Sequence, residues 1–314
     1  MLGKLMKFIK RKSDQINRIT EIERLLLSGY KSHKINIGQL QTYFNNKKEM
    51  INELSEVEFQ VFSQWGDDGI IQYLINKLDI PNKTFIEFGV ENYTESNTRF
   101  LILNNNWTGL VLDASPENIR YIKNDPVSWA CELYAKCSFI TKENINQIIS
   151  DSGFEKEVGL LSIDIDGNDY WIWKEINCIS PIIVIVEYNS LFGVNKNYSV
   201  PYDPLFVRGE KHPSNLYYGA SLGAFVSLAK DKGYSFIGCN SKGNNAYFVR
   251  NDKLGNFKTK TVKEGFVLSK FREAQVDGEW VSAGNRIKLI MGMEICNTED
   301  GIIERINEKE ISYT

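Results

Sequence analysis

Four short apolar runs, each discharging into carboxylates, constrain this chain more than any other feature. The first is Thr84-Phe-Ile-Glu-Phe-Gly89, in which Phe85, Ile86 and Phe88 favour a buried strand and Gly89 lets backbone or ligand approach closely; Glu95-Ser96-Asn97 then begins a helix. The second, Thr108-Gly-Leu-Val-Leu-Asp113, precedes Ser115-Pro116-Glu117-Asn118, which is good helix-start chemistry. Residues 158–170 and 181–189 repeat the pattern, ending in Asp164 and Asp166 and in Glu187 and Asn189. Ile182 to Val186 is apolar on both faces, as strands are where helices cover both sides of a parallel sheet. The expected fold class is therefore α/β, with the acids gathered at the carboxyl edge of the sheet, where open α/β sheets bind ligands.

The remaining elements fit around that sheet. Ile70 to Leu78 reads as a helix before the first strand, residues 132–136 as a poorer third strand, 142–150 and 170–176 as helices, 220–232 as another helix, and 234–238 with 246–250 as a closing pair of strands. Residues 190–218, rich in Tyr, Pro, Asn and Gly, are long for a connection inside a compact domain and predict a substrate lid. Residues 1–60 read as a helical arm, basic and amphipathic over 1–12 and with helical apolar spacing over 19–27. The arm either lies on anionic lipid or packs against the catalytic domain or another subunit of a homo-oligomer. Residues 255–314 form an accessory segment.

A net charge of −3 argues against a general nucleic-acid binder. Five cysteines, widely spaced and never in a Cys-x-x-Cys pair, suggest neither a disulfide framework nor a zinc site. No apolar stretch reaches the ~20 residues needed to span a bilayer, and the N-terminus has no continuous apolar signal core. These features predict a cytoplasmic protein.

A carboxylate at the tip of the second strand accepts hydrogen bonds from two ribose hydroxyls in nucleoside sites, which makes Asp113 the candidate ribose ligand; the competing reading is a helix cap. Ser63, Gln64 and Asp68 either reach over the same ligand or cap the helix that follows.

The motifs Ser63-Gln-Trp-Gly-Asp-Asp-Gly69, Phe85-Ile-Glu-Phe-Gly89, Gly109-Leu-Val-Leu-Asp113, Leu161-Ser-Ile-Asp-Ile-Asp-Gly-Asn-Asp169 and Gly243-Asn-Asn-Ala-Tyr-Phe-Val249 together resemble the FkbM-like S-adenosylmethionine-dependent methyltransferases of bacterial surface-polysaccharide loci. The resemblance covers about residues 60 to 250. It implies a Rossmann-like class I methyltransferase fold with a mostly parallel seven-stranded sheet over 61–254. It further implies S-adenosyl-L-methionine as cofactor and, as acceptor, a nucleotide-activated sugar of the GDP-heptose type for capsule biosynthesis. By the resemblance, Glu87 and Gly89 line the methionine and ribose end, Asp113 holds the ribose hydroxyls, and Ala114 and Ser115 pass near the adenosine. Gln64 and Ser96 complete the set. One departure stands out: the second glycine such methyltransferases commonly place two residues after the first is here Glu91, so that either the turn widens or Glu91 meets the methionine amino group.

Methyl transfer to a hydroxyl is an in-line displacement that needs an aligned acceptor and a base. Asp164, Asp166, Glu187 and Asn189 offer four oxygen donors suited to Mg2+ or Mn2+, which would lower the pKa of a bound hydroxyl. The alternative gives Asp164 to the cofactor and makes Asp166 and Asn168 helix caps, with no metal. His212, on the expected lid, and Asp166 are the candidate general bases. Two other classes remain open: a nicotinamide-dependent oxidoreductase, disfavoured because Glu87-Phe-Gly-Val-Glu91 lacks Gly-x-Gly-x-x-Gly, and a non-catalytic nucleotide-binding module.

Overall fold

The apolar runs become the centre of one seven-stranded sheet in a computed structural model that describes residues 2–154, 156–269, 274–276, 278–281 and 283–313. The strands are β1 (Thr84–Phe88), β2 (Thr108–Asp113), β3 (Leu133–Cys137), β4 (Leu160–Ile163), β5 (Ile183–Glu187), β7 (Tyr234–Cys239) and β8 (Asn245–Arg250), with the two-residue β6 (Tyr198–Ser199) outside the sheet. Their order is β3-β2-β1-β4-β5-β8-β7, and β8 alone runs antiparallel to its neighbours. This is the expected Rossmann-like class, with the order reversing between β1 and β4.

Helices α1 (Leu2–Asn46), α2 (Asp67–Lys77), α3 (Arg99–Asn105), α4 (Pro116–Asn124), α5 (Val127–Ala130), α6 (Ile145–Ser150), α7 (Asp169–Glu175), α8 (Arg208–Lys211), α9 (Leu222–Asp231) and α10 (Val262–Gly265) surround the strands. Because successive side chains of a strand alternate in direction, the uniformly apolar runs feed two cores. Ile86, Leu112, Ile163, Val184 and Val186 pack with Trp173 and Phe225 on one face. Phe85, Val111, Leu160, Ile183 and Ile185 pack with Ile70 and Leu74 on the other. The helix expected over 142–150 starts only at Ile145, since Asn144 closes a turn by accepting from Thr141 N and donating to Phe139 O.

Residues 190–218 do not stand alone. Phe192, Tyr198, Phe206, Leu216 and Tyr217 share a third core with Ile287, Ile290, Ile295 and Ile306 from the C-terminal segment. β6 pairs with β11 (Glu294–Asn297), which pairs with β12 (Ile303–Arg305); between these and α10, β9 (Ala274–Val276) and β10 (Glu279–Val281) form a hairpin. Residues 270–273, 277, 282 and 314 of the expected accessory segment lie outside the described residues, as does Met1 of the basic stretch.

The far half of α1 docks on α2 and α3. Ile35 packs against Phe59, Val61, Phe62 and Phe100, and Asn45 Nδ2 donates to Val57 O at 2.8 Å. Its earlier residues Ile16, Ile19 and Leu26 stay exposed. Among the described residues no helix is long and apolar enough to cross a membrane.

Candidate active site

The carboxyl ends of β1, β2, β4 and β5 open onto one cavity of 730 Å³, within the range of small-molecule sites and at the point where the strand order reverses. Gly89 has φ +70°, and a Cβ on it would stand 1.6 Å from Asp164 O, so only glycine lets the end of β1 pass beneath that of β4. Glu91 adopts the left-handed backbone itself, at φ 47°, and lines the cavity.

Glu87 is turned to a structural task. Its carboxylate accepts from Ser96 Oγ (2.6 Å), Asn97 N (2.9 Å), Thr98 N (3.1 Å) and Thr98 Oγ1, which pins the loop before α3, while burial pushes its pKa up. Glu87 and Ser96 thus border the cavity with their polar atoms already engaged. Asp68 ties down the loop before α2: Oδ2 accepts from the main-chain N of Val61, Phe62 and Ser63, each at 2.7 Å, and from Ser63 Oγ, while Ser63 Oγ accepts from Asp68 N in the first turn at 3.0 Å. Gln64, from the same loop, reaches the cavity, as does Trp65.

Asp113 takes the cap role and also lines the cavity. Oδ1 accepts from Ser115 N at 2.8 Å and Asn118 Nδ2 at 3.0 Å, shaping the start of α4, while Oδ2 takes part in neither bond and the residue lines the cavity beside Ala114 and Ser115.

Across Gly89, Asp164, Asp166 and Glu187 each bring a carboxylate oxygen within 4.8 Å of one another. Burial, reinforced by the neighbouring acids, pushes the pKa values of Asp164 and Glu187 well up. Glu187 Oε2 is buried with no hydrogen-bond partner, a costly arrangement unless a cation or a donor arrives. Asp166, at φ 58°, projects outward to Arg208 Nη1 at 2.5 Å. Arg208 is held in turn by Asn215 O at 2.7 Å and lies 3.6 Å over the Tyr218 ring.

Several of the expected roles do not fit this geometry. Asn189 is not a candidate ligand: its Nδ2 donates to Leu216 O and Tyr218 O and its Oδ1 accepts from Leu191 N, so the whole amide ties down residues 190–218. The turn before α7 is closed by Asp169, which accepts from Ile165 N and Gly167 N at 2.9 Å each, rather than by Asp166; Asn168 Nδ2 instead donates to Asp203 O at 2.7 Å. His212 pairs through Nδ1 with Ser214 Oγ at 2.7 Å and does not line the cavity.

Sequence reasoning missed Arg208, Phe139 and the pair Asn244 and Asn245, all of which line the cavity. Arg208 and Phe139 carried no local signal. The Asn pair stood in a quoted motif without a role.

No protein-family model matches the chain, and neither does any curated protein. Among solved structures, the O-methyltransferase from Bacillus cereus in complex with SAH is 13% identical with a TM-score of 0.38, over 69% of this chain and 91% of that one. An S-adenosylmethionine-dependent methyltransferase from Clostridium acetobutylicum is 12% identical with a TM-score of 0.36, over 59% and 90%. The N-terminal domain of EvdMO1 with SAH bound is 13% identical with a TM-score of 0.34, over 53% and 72%. At such values the functional reading rests on the site itself.

Proposed function

We propose that this protein is an S-adenosylmethionine-dependent O-methyltransferase whose acceptor is a sugar hydroxyl, on a nucleotide-activated sugar of the GDP-heptose type used in capsule biosynthesis. The observation that carries the proposal is one cavity in which Asp113, on a ribose-type strand tip, faces an acid cluster across Gly89. Its lining includes Glu87, Glu91, Glu95, Asp113, Asp164, Asp166 and Glu187, against Arg208 as the one Lys or Arg among the described lining residues. That excess suits a sulfonium cation and disfavours the pyrophosphate of a nicotinamide dinucleotide, which would meet Glu91 and Glu95.

In this reading Asp113 Oδ2 holds the ribose, and Glu91, Gln64 and Ser96 border the methionine end. The sulfonium supplies the methyl group: the C–S bond breaks, a C–O bond forms, and the acceptor proton passes to a carboxylate. Asp166, the outward member of the cluster, takes that proton. Asp164, Asp166 and Glu187 also fit a divalent cation of the Mg2+ or Mn2+ type, because their hard oxygens converge and Glu187 Oε2 is buried without a partner. Such an ion would lower the pKa of a coordinated hydroxyl. Arg208 pairs with Asp166, and a bound cation would offset the burial that disfavours ionisation of Asp164 and Glu187.

Calorimetric titration with S-adenosylhomocysteine and, separately, NADH tests the reading. Micromolar binding of the first alone is expected. Binding of NADH alone, or of neither, overturns it. Binding without methyl transfer to any sugar nucleotide would identify a non-catalytic module instead.

A further inference from the structure

Behind the acid cluster lies a polar network that the methyl-transfer chemistry above leaves unused. Asp67, at the start of α2, is fully buried, and burial pushes its pKa up. Its Oδ1 accepts from Tyr247 Oη, from Asn245 Nδ2 at 3.0 Å and from Asn240 Nδ2 at 3.1 Å. These partners lie 173 to 180 positions away along the chain, on the β7–β8 turn and β8.

The network fixes which end of each amide faces which way. Asn240 Oδ1 meets three main-chain donors, Gly243 N (3.1 Å), Asn244 N (3.3 Å) and Asn245 N (3.3 Å), so its NH2 end has to face Asp67. That NH2 also donates to Asn244 Oδ1 at 2.8 Å, which commits the oxygen of Asn244 inward and leaves its Nδ2 outside the network. Asn245 has the reverse polarity: its Nδ2 is spent on Asp67, and its Oδ1 is left. Both side chains are at least nine-tenths buried and both line the cavity, and neither of the remaining atoms is a sealed, unpartnered one. Asn245 is the register partner of Glu187 across β5 and β8.

We propose that Asn244 Nδ2 and Asn245 Oδ1 form an acceptor-recognition pair, one donor beside one acceptor, that reads hydroxyl groups of a polyhydroxylated substrate next to the Glu187 carboxylate, with Asp67 and Asn240 as positioning residues. A hydroxyl both gives and takes a hydrogen bond, so a donor and an acceptor on adjacent residues match a neighbouring pair of hydroxyls in fixed orientation. The pair stands on the β5 side of the cavity, away from the ribose carboxylate Asp113 on β2. The inference rests on the methyltransferase reading, since that reading makes the β5 side the acceptor's.

The test uses the full chain, 15N-labelled and loaded with S-adenosylhomocysteine, titrated with GDP-mannose as a hydroxyl-rich sugar-nucleotide probe. The side-chain amide resonance of Asn244 is identified by its absence from the Asn244→Ala spectrum. GDP-mannose is expected to shift that resonance, and Asn244→Ala and Asn245→Ala are expected each to weaken GDP-mannose binding by about threefold to tenfold, the equivalent of one neutral hydrogen bond, while S-adenosylhomocysteine binds both variants as it binds wild type. An unmoved amide in wild type, or variants that bind GDP-mannose unchanged, overturns the pair whether or not either variant folds well. Absence of S-adenosylhomocysteine binding in wild type would instead remove the methyltransferase reading beneath it.

Discussion

Gly89 passes directly under the main-chain oxygen of Asp164, so the turn after β1 and the end of β4 share a space with no room for a methyl group. The two halves of the cavity meet at that contact. Gly89→Ala adds a Cβ at a positive φ, which costs an L-residue about 1–2 kcal/mol before any clash is counted. The expected outcome is a loss of more than ~2 kcal/mol in urea unfolding, with S-adenosylhomocysteine binding weakened at least tenfold. Wild-type affinity in a well-folded variant would mean that the turn does not shape the ligand site.

Asp113 divides its labour between the two oxygens. Asp113→Asn preserves an acceptor for Ser115 N but removes the charge. Charged hydrogen bonds contribute ~1.5–3 kcal/mol each, so S-adenosylhomocysteine affinity is expected to fall roughly tenfold to a hundredfold with little change in melting temperature. If calorimetry returns the wild-type affinity, Asp113 is a helix cap and nothing more.

The acid cluster separates from the fold by a similar comparison. Glu187→Gln replaces a buried carboxyl, whose ionisation burial and the neighbouring Asp164 disfavour, with a neutral amide of the same shape, so the apo protein is expected to be as stable as wild type or more so. Mn2+ binding, followed by electron paramagnetic resonance, is expected to drop at least tenfold. Undiminished Mn2+ binding, or methyl transfer indifferent to a chelator, would rule out the metal reading.

Asp68 governs a pH dependence. Burial outweighs its hydrogen bonds and pushes its pKa up to about 6, above the ordinary value of about 4. A carboxyl raised on folding contributes stability that is complete below the unfolded pKa and is lost as pH rises through the folded one, because the unfolded chain releases the proton first. Stability is therefore expected to decline between pH 4 and 6 by up to about 3 kcal/mol from this group. Asp169, also raised to about 6, acts in the same window. Asp68→Asn is expected to shallow the decline without abolishing it; an unchanged slope would mean that Asp68 is ionised throughout.

The third core makes a prediction about residues far from the cavity. Ile290→Ala, at a fully buried position in that core, costs about 2–5 kcal/mol locally and loosens residues 190–218. Limited proteolysis is expected to cut that segment first, with acceptor turnover falling and S-adenosylhomocysteine affinity nearly unchanged. Equal loss of both would show the core to be inseparable from the sheet.

The sheet was legible because its determinants are local. Ile182 to Val186 announces a strand buried on both faces from five adjacent letters, and Asp113 announces a strand tip by its place between Leu112 and Ser115. The site was legible only where a strand end decided it. Asn189 stands at such an end, yet its amide is claimed by Leu216 and Tyr218, which no local pattern reveals. The bonds that Glu87 makes to Ser96, Asn97 and Thr98 were not legible, because nothing local in the sequence says that the loop before α3 folds back onto its carboxylate. Arg208 stayed hidden because its partner Asp166 lies 42 positions earlier, and Asn245 because its orientation is set by Asp67, 178 positions away.

Chain order adds a consequence to the way residues 190–218 are held. Every strand of the main sheet has been made by Arg250, and with it Gly89, Asp113 and the acid cluster on their final scaffold. The segment bearing Arg208 must wait longer, because Ile287, Ile290, Ile295 and Ile306 emerge only after the sheet. A nascent chain therefore completes the strand-end side of its cavity before it can close the wall opposite.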